Sequence, residues 1–117
     1  VSNAWIGVDF DGTLAEYPWK EQHKTAGNPV KPMLDRVKRW IRQGIKVKIM
    51  TARANYPYQR IIVEKWLVDN GIGGLEITST KDHDMMVLFD DKAITVEANT
   101  GRILAENRLL AEFGIAL

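Results

Sequence analysis

Asp9 and Asp11 stand two positions apart at the end of an apolar run, in "WIGVDFDGTLAEY" at residues 5 to 17. In an extended strand, residues i and i+2 face the same side. The two carboxylates therefore lie side by side, with Phe10 turned away. Like charges that close repel, and burial without a partner raises their pKa values. A divalent cation is the simplest compensation. Further polar clusters follow three other apolar runs: Thr51 and Arg53 after "IKVKIM", Lys81 after "LEIT", and Asp90 and Asp91 closing "MMVLFDD". If these runs are parallel strands, the clusters converge on the carboxyl edge of one sheet, where α/β folds bind ligands. Adjacent parallel strands lie about 4.8 Å apart, so if strands one and four are neighbours, Asp9 and Asp90 can share an ion. The donors are all oxygens, which suits a hard ion such as Mg²⁺, and Mg²⁺ readily takes a substrate phosphate oxygen. Lys81 adds positive charge, and Thr51 adds a hydroxyl and loop N–H groups, to meet the equatorial oxygens of a phosphoryl group. One carboxylate can attack phosphorus while the other protonates the leaving alkoxide and then activates water.

The elements that must position these groups can be read from periodicity. "WIGVDF" is strand one. Residues 13 to 32 carry three prolines and no sustained period, and read as a long loop, with a turn or hairpin at Tyr17-Pro18. In "PMLDRVKRWIRQG", Leu34, Val37, Trp40 and Ile41 recur at helical spacing, with Pro32 at the start and Gly44 at the stop. "IKVKIM" is strand two and "TARANYP" a loop. "YQRIIVEKWLVDNG" is a second helix with Ile61, Ile62, Trp66 and Leu67 inward. "LEIT" is strand three. "MMVLFDD" is strand four, whose nearly unbroken apolar run resembles strands buried on both faces. "KAITVEANTGRIL" holds a fifth strand with "NTG" as a turn, and "AENRLLAEFG" a short helix. Strands alternating with helices predict a three-layer, Rossmann-like α/β fold around a mainly parallel sheet, one domain over residues 1–117.

Composition narrows the function classes. A net charge of +1 gives no field that favours DNA or an anionic membrane. The absence of cysteine excludes disulfides and thiolate metal sites and fits a reducing, cytoplasmic setting. No apolar run reaches membrane-spanning length, and no secretory signal pattern is visible at the N-terminus.

"DFDGT", "IMTAR", Lys81 and "LFDD", in that order, resemble the four motifs of the haloacid dehalogenase (HAD) superfamily of phosphohydrolases. The likeness covers about residues 5 to 96, and "NPVKPMLDRVKRW", "TARA" and "DDKAITVEANTG" also resemble small HAD-like proteins of bacteria and phages. The resemblance implies an aspartyl-phosphate mechanism. Asp9 would be the nucleophile. Asp11 would be the general acid and base, lending its backbone carbonyl to Mg²⁺. Thr51, Ala52 and Gly12 would bind the phosphoryl group, Lys81 would hold charge, and Asp90 and Asp91 would complete the metal site with Asp9 and Asp11. The motif lysine is often followed by proline, whereas here the chain reads "TKDHD", so Lys92 is the runner-up to Lys81.

Two other functions compete: a regulatory module of the same fold with little turnover, and a nuclease-like hydrolase using two metal ions. Retention of both Asp9 and Asp11 argues against the first, and the lack of further acids around the site argues against the second. Nucleic acid enters only as a substrate. The spans from Thr13 to Thr51 and from Thr51 to Lys81 are filled by a helix and strand each, which leaves no room for a cap domain. Only the loop around Tyr17 to Asn28 can cover the site. An open site predicts a large phosphorylated partner, loose specificity on small esters, or closure by an oligomer neighbour. Tyr17, Trp19 and His23 lie near its mouth, where flap packing and solvation account for them more simply than substrate contact.

Overall fold

The computed structural model describes residues 3–18, 24–105 and 109–116. Trp19 and His23 lie outside these residues. Along the chain run β1 (Trp5–Asp9), α1 (Lys31–Arg42), β2 (Lys46–Met50), α2 (Pro57–Asp69), β3 (Glu76–Thr78), β4 (Met85–Phe89) and α3 (Leu109–Glu112). The four strands make one parallel sheet in the order β3-β2-β1-β4. The step outward from β1 to β2 to β3 reverses when the chain returns to β4. The carboxyl ends of β1 and β4 therefore sit side by side at the switch point.

α1 begins with Pro32 in its first turn and carries Arg39 and Arg42 in its last, matching the helix dipole. It stops at Gly44, whose φ of 76° lets Gly44 N–H reach Ile41 O and Ile45 N–H reach Trp40 O. The register puts Ile6, Val8, Val47, Ile49 and Ile77 on one face of the sheet. Leu34 and Val37 of α1 and Val63, Trp66 and Leu67 of α2 join those residues in a single core. Burying each such side chain contributes about 1.5–3 kcal/mol. Phe10 meets Trp66 edge-on at 5.0 Å, which ties the turn after β1 to α2.

Both long helices thus cover one face, as right-handed crossovers require. The connection from β3 to β4 crosses the other face without a helix. Its Asp82 accepts from Trp5 Nε1 at 2.8 Å and lies 3.6 Å from Lys48 Nζ, which also pairs with Glu76 at 2.9 Å. Trp5 is fully buried beneath this strap, with Lys48 over its ring. Among the described residues, the sheet is α/β and all parallel, but its second helical layer is replaced by this short strap.

Several local expectations are corrected. Among the described residues β4 is an edge strand paired only with β1, so Met86 and Val87 are exposed rather than buried on both faces. In α2, Gln59 and Val63 turn inward while Ile61 is exposed, because the buried stripe is centred one position from where its isoleucines lie. The fifth strand is not in the sheet. Val96 and Ile103 form a single antiparallel bridge around a turn, with Asn99 and Gly101 both at positive φ. No helix among the described residues is long and apolar enough to cross a membrane.

Candidate active site

A cleft of about 560 Å³ opens at the carboxyl edge of the sheet. It is lined by Asp9 at the end of β1 and Asp11 just beyond it, Thr51, Ala52 and Arg53 after β2, and Asp90 and Lys92 after β4. Carboxylate oxygens of Asp9, Asp90 and Asp91 lie within 4.8 Å of one another. Asp9 and Asp90 meet because β1 and β4 are hydrogen-bonded neighbours in register, with Val8 opposite Phe89.

The turn after β1 is built on Phe10, whose carbonyl accepts from the N–H groups of Leu14 and Ala15 at 3.0 and 2.9 Å. Gly12 follows at φ 90°, and a side chain there would strike the Tyr17 ring and Asp91 Oδ2. The glycine thus permits the β1 turn and the β4 end to approach closely. At the base of the long loop, Glu16 N–H bonds Asn28 O and Val30 N–H bonds Leu14 O, so the loop leaves and returns as a hairpin.

Thr13 joins the two strand ends. It is buried, its Oγ1 lies 3.0 Å from Asp91 Oδ1 and 3.3 Å from Asp9 Oδ2, and it accepts from Asp91 N–H at 3.0 Å. The Tyr17 hydroxyl donates to Asp91 Oδ2. Burial and that bond to a carboxylate raise the Tyr17 pKa, so it stays a donor. Lys92 lies with Nζ 5.4 Å from the Tyr17 ring centre, and its N–H caps Asp90 Oδ1 at 2.8 Å.

Burial, then the charges and contacts of Asp90 and Asp91, push Asp9 from an ordinary 3.8 up to about 7. Burial also raises Asp91, but bonds from Tyr17, Asp9 and Thr13 outweigh it and hold its carboxyl below the usual range. Contact between the two acids favours the protonated form of Asp9 and the charged form of Asp91. The folded protein holds that Asp9 proton more tightly than the unfolded chain does. The resulting stability is complete below about pH 4 and is lost as pH rises to about 7. Asp9→Asn is therefore expected to melt progressively higher than the metal-free parent as pH is raised through that window. Paired melting curves check this, and a constant difference would reject it.

Asp11 points to a different partner. Arg53 grips it with two parallel bonds, Nε to Oδ2 at 2.8 Å and Nη2 to Oδ1 at 2.9 Å, and Nη2 also reaches Thr25 O at 2.8 Å. The guanidinium is buried, 5.6 Å from the Phe10 ring centre. Such a fork fixes the plane of a carboxylate. Thr51 N–H is taken by Thr78 O at 2.8 Å, and Thr51 Oγ1 accepts from Arg53 N–H at 3.2 Å. The loop N–H expected from Thr51 itself is thus committed to the sheet, while its hydroxyl proton can still be donated into the cleft.

The structure brings together Asp9, Asp11, Thr51, Ala52, Asp90 and Asp91, with Gly12 at the crossing of the two strand ends. Lys81 is exposed in the strap after β3 and does not line the cleft, whereas Lys92 does. Four contributions went unread in the sequence: Thr13 as the tie between Asp9 and Asp91, the Arg53 grip on Asp11, and Tyr56 and Gln59 in the wall. A polar Gln59 on the inward stripe of α2 was the visible signal. The chain matches no family model, no curated protein and no solved structure.

Proposed function

We propose that this chain is a Mg²⁺-dependent phosphatase that cleaves phosphate monoesters through an aspartyl phosphate on Asp9, consistent with its motif resemblance to HAD phosphohydrolases. The carrying observation is the convergence of Asp9, Asp90 and Asp91 within 4.8 Å, in one cleft with Asp11 and Thr51. This donor set fits the ion. Mg²⁺ prefers hard oxygen ligands, and Asp9, Asp90 and Asp91 would offer it three carboxylates from adjacent strand ends. Burial first, and then the crowding by Asp90 and Asp91, raise the Asp9 pKa, and a bound cation would offset that crowding. Bound there, Mg²⁺ supplies the positive charge that lets an anionic nucleophile and a phosphoryl group approach.

The remaining chemistry belongs to the chain. An Asp9 oxygen forms the new P–O bond as the ester P–O bond breaks. The Thr51 hydroxyl and Ala52 N–H hold equatorial oxygens, and Lys92 adds charge from the far wall. Asp11 opens one of its two bonds to Arg53, takes up a proton from solvent on the freed oxygen, and gives that proton to the departing alkoxide. It then takes a proton from the water that attacks phosphorus, which releases phosphate and regenerates Asp9. Quenching during turnover and reducing with borohydride should convert Asp9 to homoserine, detectable by mass spectrometry. Measured turnover with no label at position 9 would overturn the covalent route.

Asp11→Ala tests the proton step. Loss of a general acid costs about 10²–10⁴-fold where the leaving group needs protonation. Alkyl phosphates should therefore slow far more than an aryl phosphate such as p-nitrophenyl phosphate. Equal losses on both would remove Asp11 from that role.

A further inference from the structure

We propose that the amino end of α2, with the side chain of Gln59, forms a second anion subsite, so that the preferred substrates carry a further oxyanion on the leaving group. The inference rests on the phosphatase reading for the word "substrate", but the subsite itself is argued from geometry. Gln59 lines the cleft, yet the residue is only 7 % exposed. Among the described residues its amide makes no hydrogen bond with protein. The amide atoms themselves stay open to the cleft, so the one direction in which this otherwise enclosed side chain can form hydrogen bonds is toward whatever the cleft holds.

Its setting says which ligand. Gln59 is the third residue of a 13-residue helix that opens with Pro57. The preceding Tyr56 provides no side-chain cap, and no acidic residue lies in the first turn. The positive end of the helix and its first N–H groups are therefore left for an anion. Tyr56 lines the same wall and is half exposed. Arg53, one turn before α2, keeps a cation in that wall while its fork holds Asp11. The acidic trio and Lys92 occupy the β1–β4 side of the cleft, and Thr51, Ala52, Arg53 and Gln59 the β2–α2 side. A bis-anion laid across it puts one phosphoryl group at Asp9 and the second group, a phosphate or carboxylate, at Gln59.

The test uses the full chain with Mg²⁺ and three small esters: propyl phosphate, 1,3-propanediol bisphosphate and 3-phosphooxypropanoate. The bis-anions should exceed propyl phosphate in kcat/KM by at least tenfold, beyond the twofold statistical factor for the bisphosphate, with the gain in KM. The two bis-anions separate phosphate from carboxylate as the favoured second group. Gln59→Glu is close to isosteric and adds a negative charge at a helix position that favours one, so the fold is kept. It should collapse the ratio to about the statistical value, and Gln59→Leu should reduce it. Calorimetry with propane-1,3-bisphosphonate against propylphosphonate reads the subsite without turnover. If no ester is hydrolysed but the bisphosphonate binds more tightly in a Gln59-dependent way, the subsite stands and the phosphatase reading falls. If the esters are hydrolysed at equal kcat/KM, or the preference survives Gln59→Glu unchanged, the subsite is overturned and the phosphatase reading stands. Neither hydrolysis nor preferential binding overturns both.

Discussion

Asp9→Asn is expected to abolish turnover while leaving a folded protein. The amide keeps the shape of the carboxylate but cannot form the acyl phosphate, so kcat should fall by at least about 10⁴-fold. In Mg²⁺ raised far enough to fill a site that has lost one of its three carboxylates, substrate should still bind, because Thr51, Ala52 and Lys92 are untouched and the amide removes a negative charge facing the phosphoryl group. The variant should therefore separate binding from chemistry: calorimetry with an ester in Mg²⁺ gives a dissociation constant equal to or below that of the parent. Near-normal hydrolysis by Asp9→Asn would end the covalent mechanism.

The second large effect is on the ion. Asp90 contributes a carboxylate from β4 to a group otherwise made of Asp9 and Asp91. Asp90→Asn removes a third of the negative charge, and even the loss of an outer-shell partner costs metal sites about 10–100-fold. Mg²⁺ affinity should fall by at least about 100-fold by that measure, and activity should recover in part at high Mg²⁺. Excess chelator should silence the parent protein. Activity that persists in chelator, or an Asp90→Asn protein with parental Mg²⁺ dependence, would remove the ion from the reading.

Much of this arrangement was legible because strand-end carboxylates follow from alternation alone. Asp9 is where the apolar run of β1 stops, and Asp90 where that of β4 stops. The adjacency of those strands entered only as a condition, and the order β3-β2-β1-β4 supplies it. What could not be read were features set by packing between distant segments. The buried-on-both-faces expectation for β4 failed because an apolar run does not reveal whether a neighbour exists on each side. The inward face of α2 was misjudged by one position, since Ile61 looks more apolar than Gln59 while the geometry buries Gln59. Motif order favours Lys81 over Lys92, whereas the cleft is lined by Lys92 and Lys81 sits in the strap whose Asp82 is held by Trp5 and Lys48. The Arg53–Asp11 fork joins residues 42 apart in the chain, which no local pattern encodes.

The reversal of strand order also sets a time sequence. β1, β2 and β3 are linked by successive helical crossovers, so their contacts close comparatively short loops. The β1–β4 pairing joins Trp5 to Met85 and closes most of the chain. Contacts of such separation form late, because chain entropy must be surrendered before they are rewarded. Docking of β4 is also the step that drives Asp90 and Asp91 against Asp9, so in a cation-free solution electrostatic repulsion is concentrated in that final association. A divalent ion should then act as a folding catalyst for one element only. Pulse-labelled hydrogen exchange during refolding should show the amides of β2 protected first and those of β4 last, with Mg²⁺ shortening the lag for β4 alone. Simultaneous protection of all four strands, indifferent to the ion, would contradict that order.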